Sequence, residues 1–109
     1  MTETCDVSFE VLRTIGANHP SLPGHFPGAP IVPGVVILDE ILAAFAEWRV
    51  DSRVSVVRTV KFLASLKPEQ PFTIFLSTDK CTKGEVDFCC RVGNRVIVEG
   101  RFQVCCGVR

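Results

Sequence analysis

Val35-Val36-Ile37-Leu38-Asp39-Glu40-Ile41-Leu42-Ala43-Ala44-Phe45-Ala46-Glu47-Trp48 is the stretch on which the reading of the fold turns. Ala and Leu sustain a helix, and Pro33, just before the run, suits a helix's first turn. At about 100° per residue, Glu40 and Glu47 share one face and are expected to reach a rim or water. Most of the remaining circumference is apolar. A helix of that kind is ordinarily buried nearly all round, so the rest of the chain is expected to wrap it.

Working outward, Val7, Phe9 and Val11 alternate with Ser8 and Glu10, which predicts a strand near residues 6–15. Residues 16–34 hold five of the seven prolines together with Gly16, Gly24, Gly28 and Gly34. That composition excludes helix and central strand and leaves a loop. After the helix, Val54, Val56, Val60 and Phe62 mark a strand with an irregularity around Val57-Arg58, and Leu66 to Pro71 reads as a loop. Phe72, Ile74 and Leu76 form the next strand, and Val86, Phe88, Cys90 and Val92 another. Val96, Val98, Phe102 and Val104 form the last, entered through a Gly93-Asn94 hairpin turn. Residues 71–106 therefore read as a meander of three antiparallel strands. One apolar helix and some five strands imply an α+β arrangement, a hotdog, with a sheet curled around the helix. The chain's 109 residues fit one such domain, spanning 1–109, and contain no internal repeat.

Bulk properties narrow the function. Lys+Arg and Asp+Glu are equal at 12 each, which argues against nucleic acid as the main partner. No run of 18 apolar residues offers a membrane span, and the polar, acidic start Met1-Thr2-Glu3-Thr4-Cys5-Asp6 is unlike a secretory signal. The six cysteines include two vicinal pairs, Cys89-Cys90 and Cys105-Cys106, inside alternating apolar segments. Neighbours there point to opposite sheet faces, so ordinary reduced thiols in a cytoplasmic protein are expected. No C-x-x-C repeat or His/Cys quartet suggests zinc, and no metal or organic cofactor is called for.

Asp39 is the outlier of the helix. Its wheel neighbours are Val35, Leu42, Ala43 and Ala46, with no cation in the stripe. A carboxylate there is expected to be desolvated, which favours its protonated form and suits a general acid. The plainer alternative is a carboxylate near a helix start that merely meets solvent or a backbone amide. His25 sits in Gly24-His25-Phe26-Pro27-Gly28, where the flanking prolines and glycines restrict the backbone and can hold an imidazole in one pose. Its plainer alternative is a surface histidine, and His19 is read as structural. Pro33-Gly34-Val35 supplies helix-start N–H groups, with a glycine that permits close approach of a carbonyl oxygen gaining charge.

The run from His25 to Asp39, His-Phe-Pro-Gly-Ala-Pro-Ile-Val-Pro-Gly-Val-Val-Ile-Leu-Asp, resembles the H-F-P-G-x-P-x-x-P-G-V signature of β-hydroxyacyl-acyl carrier protein dehydratases. In that family a Glu or Asp follows the histidine by fourteen positions, an offset that falls on Asp39 and not on Glu40. Weaker resemblance runs on through Val60-Lys61-Phe62-Leu63 and Leu66-Lys67-Pro68-Glu69, covering most of the chain from about residue 18. The resemblance implies a homodimeric double hotdog whose sites lie at the dimer interface, with a higher oligomer or a heterodimer with a homologue also open. It implies that His25 is the base at the substrate's α-carbon and that Asp39 of the partner chain protonates the departing 3-hydroxyl. The Gly34 amide would polarise the thioester carbonyl, with Val35 and Phe26 as further substrate-binding residues. The acyl chain is expected along the helix, against residues such as Leu38, Leu42 and Phe62.

Two departures from the family's pattern stand out. Alanine occupies position 43, where typical members carry a glutamine that helps hold the carboxylate, and the chain is shorter than usual. The rival readings are a hotdog thioesterase, whose helix carboxylate activates water, and a non-catalytic acyl-carrier-binding subunit. Acyl carrier protein, an acidic partner, would need a local basic surface, for which Arg49, Arg53, Arg58, Lys61 and Lys67 are the candidates. The pathway implied is fatty-acid synthesis or a specialised acyl or polyene-type synthesis.

Overall fold

The computed structural model describes residues 6–16, 31–50, 52–79 and 84–106. Its elements run β1 (Asp6–Arg13), α1 (Gly34–Trp48), β2 (Ser52–Phe62), β3 (Phe72–Asp79), β4 (Glu85–Val92) and β5 (Arg95–Cys106). The five strands form one antiparallel sheet in the order β1-β3-β4-β5-β2, curled against the single helix as a hotdog. The expected β3-β4-β5 meander is present, and the irregularity read at Val57-Arg58 is a pair of register shifts, between Val54 and Val56 and between Val57 and Thr59.

Alternation along β3, β4 and β5 sends Phe72, Ile74, Leu76, Val86, Phe88, Cys90, Val98 and Phe102 inward, where all are buried. Val36, Ile37, Ile41, Ala44 and Phe45 of α1 meet them. Phe45 anchors the helix. Its ring stands edge-on to Phe102 at 5.1 Å, and Phe102 stacks on Phe88 at 5.5 Å. Where β5 passes under this cluster the chain has Gly100, and a Cβ there would lie 2.2 Å from the Thr59 carbonyl oxygen and 2.6 Å from Phe88 Cζ. The sheet can therefore pinch between β2 and β4 only because that position has no side chain.

Two expectations are corrected and a third is extended. Pro33 is the N-cap residue, extended at φ −60° and ψ 145°, so the first helical residue is Gly34. The helix is not buried all round: Val35, Asp39, Ala43, Ala46 and Glu47 are exposed. A five-stranded sheet embraces only one side of a helix, and none of the described residues covers the other. Glu40 and Glu47 do share a face, but they meet Arg13 of β1 as well as solvent. Arg13 donates to Glu47 through an NH2 group, while its Nε lies 3.4 Å from Glu40 Oε1 as a charge contact without hydrogen-bond geometry. Arg13→Ala should cost about 1 kcal/mol in chemical denaturation, and less in high salt, because the pairs are partly screened.

Cys89, Cys90 and Cys105 are free thiols, respectively half-buried, buried and exposed, as alternation requires. Burial pushes the Cys90 thiol from 9.0 up to about 12, and adjacent Cys89 adds a smaller contribution. Above 9.0 the unfolded chain therefore releases a proton that the folded chain keeps. This contribution to stability is complete below that pH and is lost as pH rises towards about 12. Mass-spectrometric mapping after mild alkylation at pH 8 should find Cys105 modified and Cys90 protected unless the protein is first denatured.

Candidate active site

The site grows from the start of α1. The N–H groups of Val36 and Ile37 both reach the Pro33 carbonyl, at 3.0 and 3.4 Å. The Gly34 and Val35 amides have no partner among the described residues, as the first turn of a helix dictates. They adjoin an apolar groove of about 490 Å³, lined by Val32, Gly34, Ile37, Phe62, Leu63 and Leu66 among others. Two backbone bonds shape the groove: Val32 N–H donates to Leu66 O at 2.8 Å, and Leu63 N–H donates to Ile97 O at 2.7 Å. Phe62, half exposed at 50 %, lies against the helix start so closely that a Cβ at Gly34 would sit 2.7 Å from its Cε1. Glycine is thus required both for the ring's position and for access to the amides.

Asp39 follows Gly34 by five residues, ~7.5 Å along the axis. At about 100° per residue it stands roughly 140° round the helix from Gly34, on the exposed side. Val35 and Asp39, one turn apart, share the exposed stripe with Ala43. Asp39 is not desolvated by this chain, contrary to expectation, because the stripe points away from the sheet. It makes no hydrogen bond or ion pair among the described residues, and Ala43, one turn further on, offers no polar group to hold it. His25 and Phe26 lie outside the described residues, as does His19.

Of the three residues expected along the acyl chain, one borders the groove. Phe62 does line the groove, but Leu38 and Leu42 pack against the core instead. The segment Leu63–Leu66, which forms one wall, was missed; its signal is an apolar run in a loop, where a solvated turn would be polar. Arg49 lies over Trp48 at 4.5 Å, Arg58 donates to Gln103 Oε1 at 2.8 Å, and Arg53, Lys61 and Lys67 are exposed.

A second depression of about 520 Å³ opens on the sheet's outer face, lined by Arg58, Lys61, Asp87, Glu99 and Arg101 among others. Its walls are largely charged, and Arg101 is already engaged by Asp87 at 2.6 Å and Glu85 at 3.4 Å, whereas the groove at the helix start is apolar. Among the described residues no group of three or more His, Cys, Asp or Glu side chains could hold a metal, and no helix is long and apolar enough to cross a membrane.

Comparison with known proteins bears on this geometry. Residues 2–101 match the profile of a family described as ApeI-like, ApeI dehydratase. The 3-hydroxyacyl-[acyl-carrier-protein] dehydratase FabZ of Chlamydia trachomatis is 30% identical over 102 residues, which cover 83% of this chain and 67% of that one. In structure, the chain is similar to the dehydratase heterocomplex ApeI:P from Xenorhabdus doucetiae, with a TM-score of 0.75, 21% identity and coverage of 90% of this chain and 87% of that one. It is also similar to the fluoroacetyl-CoA thioesterase FlK, with a TM-score of 0.70 at 10% identity, covering 98% and 91% respectively. At such identities these two structures speak to the fold alone.

Proposed function

Because this chain belongs to the ApeI-like dehydratase family, we propose that it removes water from 3-hydroxyacyl thioesters to give trans-2-enoyl thioesters. The observation that carries the reading is a pair of unpartnered amides beside an apolar groove at the start of α1, with a carboxylate on the exposed side of the same helix where a second chain's groove can meet it. The α-proton of a thioester is weakly acidic, so its removal needs a base together with stabilisation of the enolate-like oxygen. In this reading the acyl chain lies in the groove and the thioester oxygen accepts from the Gly34 N–H, with Val35 beside it. A single donor of that kind is typically worth ~10²–10³ in rate. His25, with Phe26 next to it, takes the α-proton. An Asp39 carboxyl gives its proton to the departing 3-hydroxyl.

The exposed stripe of Val35, Asp39, Ala43 and Ala46 supports a working unit of two hotdog chains, a second copy or a homologue, in which Asp39 faces the partner's groove and is desolvated there. The acyl group arrives on an acidic acyl carrier protein in the cytoplasm, and Lys61 and Lys67, beside groove-lining Phe62 and Leu66, are the cations nearest the groove in sequence. No cofactor is required.

Gly34→Val should lower turnover by ~10²-fold or more, because its side chain displaces Phe62 and crowds the amide. Steady-state kinetics on a carrier-bound substrate checks this. To separate dehydration from thioester hydrolysis, a 3-hydroxyacyl thioester is incubated with the protein while free thiol and enoyl product are followed together. Enoyl product without thiol is the expected result. Thiol release without enoyl product would assign the site to a thioesterase.

A further inference from the structure

Arg13 closes β1 and reaches across to α1. Its guanidinium donates through an NH2 group to Glu47 and sets its Nε 3.4 Å from Glu40 Oε1. One planar, rigid group thus bridges two turns of the helix. Only 22 % of the Arg13 side chain is exposed, against 35 % for Glu40 and 51 % for Glu47, so the guanidinium is the fixed member of the clip.

The clip grips a flank of α1 that lies outside the apolar packing. At about 100° per residue, Glu40 and Glu47 stand roughly 100° and 80° round from Asp39, on one side of its exposed stripe. On the opposite side, Leu38 and Leu42 rest against the core. Apolar attraction is non-directional, so it sets how deep the helix sits more strictly than how it is rolled. No charged side chain of the helix's own complements either end, and Pro33 caps it without a side-chain bond. Phe9 of β1 stacks on Trp48 at 6.0 Å, which holds the far end by ring contact. Side chains end about 5–6 Å from a helix axis, so a roll of about 10° carries the Asp39 carboxylate about 1 Å. A misplacement of that size can cost ~10²-fold in rate.

We infer that Arg13 is a positioning residue for the dehydration: through Glu40 and Glu47 it fixes the roll of α1, and with it the direction in which Asp39 faces the substrate. The inference rests on the reading that Asp39 is the proton donor, and it names the group that aims it from outside the helix.

The test follows kcat and KM for conversion of a 3-hydroxyacyl to an enoyl thioester by the full chain and by Arg13→Ala, Asp39→Asn and the double variant. In Arg13→Ala, kcat should fall by ~10–10²-fold with KM unchanged. Arg13→Lys, which keeps the charge but not the planar fork, should recover part of the loss. Because Arg13 acts through Asp39, removing it from Asp39→Asn should lower the residual rate no further. Glu47→Ala, at an exposed position, carries the same comparison if Arg13→Ala does not fold. A merely structural arginine would lower the rate by one factor in both backgrounds, and that result overturns the inference. So does wild-type kcat in both Arg13→Ala and Glu47→Ala. Either result leaves the dehydratase reading standing. A wild-type protein that forms no enoyl product, or an Asp39→Asn variant as active as wild type, overturns that reading and this inference with it.

Discussion

Asp39→Asn is expected to cut the interconversion of 3-hydroxyacyl and enoyl thioesters by ~10²–10⁴-fold while leaving the chain's own folding stability unchanged. The two halves of the expectation have separate causes. The amide cannot supply the proton that the departing hydroxyl needs, so the chemical step fails. The carboxylate is exposed and makes no hydrogen bond or ion pair among the described residues, so the fold loses nothing when its charge goes. Turnover measured beside a denaturation curve checks both. A loss of activity matched by a loss of stability would make Asp39 a structural residue of the helix instead. Full activity would remove it from the reaction.

Gly100→Ala should destabilise the chain by about 3 kcal/mol, the upper part of the usual range for overpacking, lowering Tm by more than about 10 °C. The new methyl would meet the Thr59 carbonyl at 2.2 Å and the Phe88 ring at 2.6 Å. Neither can easily yield, since Thr59 is laddered to Arg101 in β5 and Phe88 is stacked on Phe102. Gly93→Ala is the comparison. That residue has φ +60° but nothing within 4 Å of an added Cβ, so it should cost only about 1–2 kcal/mol, from backbone conformation alone. Thermal unfolding of the two variants side by side checks whether close approach or conformation dominates.

Much of this fold was legible because two periodicities carry it. Alternation in β3 and β4 predicted their inward residues; in β5 it caught Val98, Phe102 and Val104 but marked Val96 where the buried residue is Ile97, beside a register shift. The Gly93-Asn94 turn fixed the hairpin between the last two. The bulge near Val57-Arg58 was visible as a break in that alternation. What misled was the helix. Its sequence is apolar almost all round, and from that alone burial by its own chain and burial by a second chain look the same. Only the placed sheet shows that Val35, Asp39, Ala43 and Ala46 face outward. The Arg13 clip joins β1 to Glu40 and to Glu47, the latter 34 residues away in sequence, and no local pattern announces such a pair. At the site, the motif from His25 to Asp39 pointed to the dehydratase family, and Gly34 could be marked as a close-approach position. That Phe62 is the group approaching it, and that Leu63 to Leu66 wall the groove, depends on how β2 ends against the helix start.

The central claim is dehydration by this chain with His25 and Asp39 as its acid–base pair. The most direct test presents a 3-hydroxyacyl carrier protein to the purified protein and to its His25→Ala and Asp39→Asn variants, following the loss of one water by mass spectrometry. Enoyl carrier forming with the wild type, and lost in both folded variants, is the predicted result. A folded wild-type protein that binds the acyl carrier yet yields no enoyl product at any chain length would contradict the claim and assign the chain a binding role.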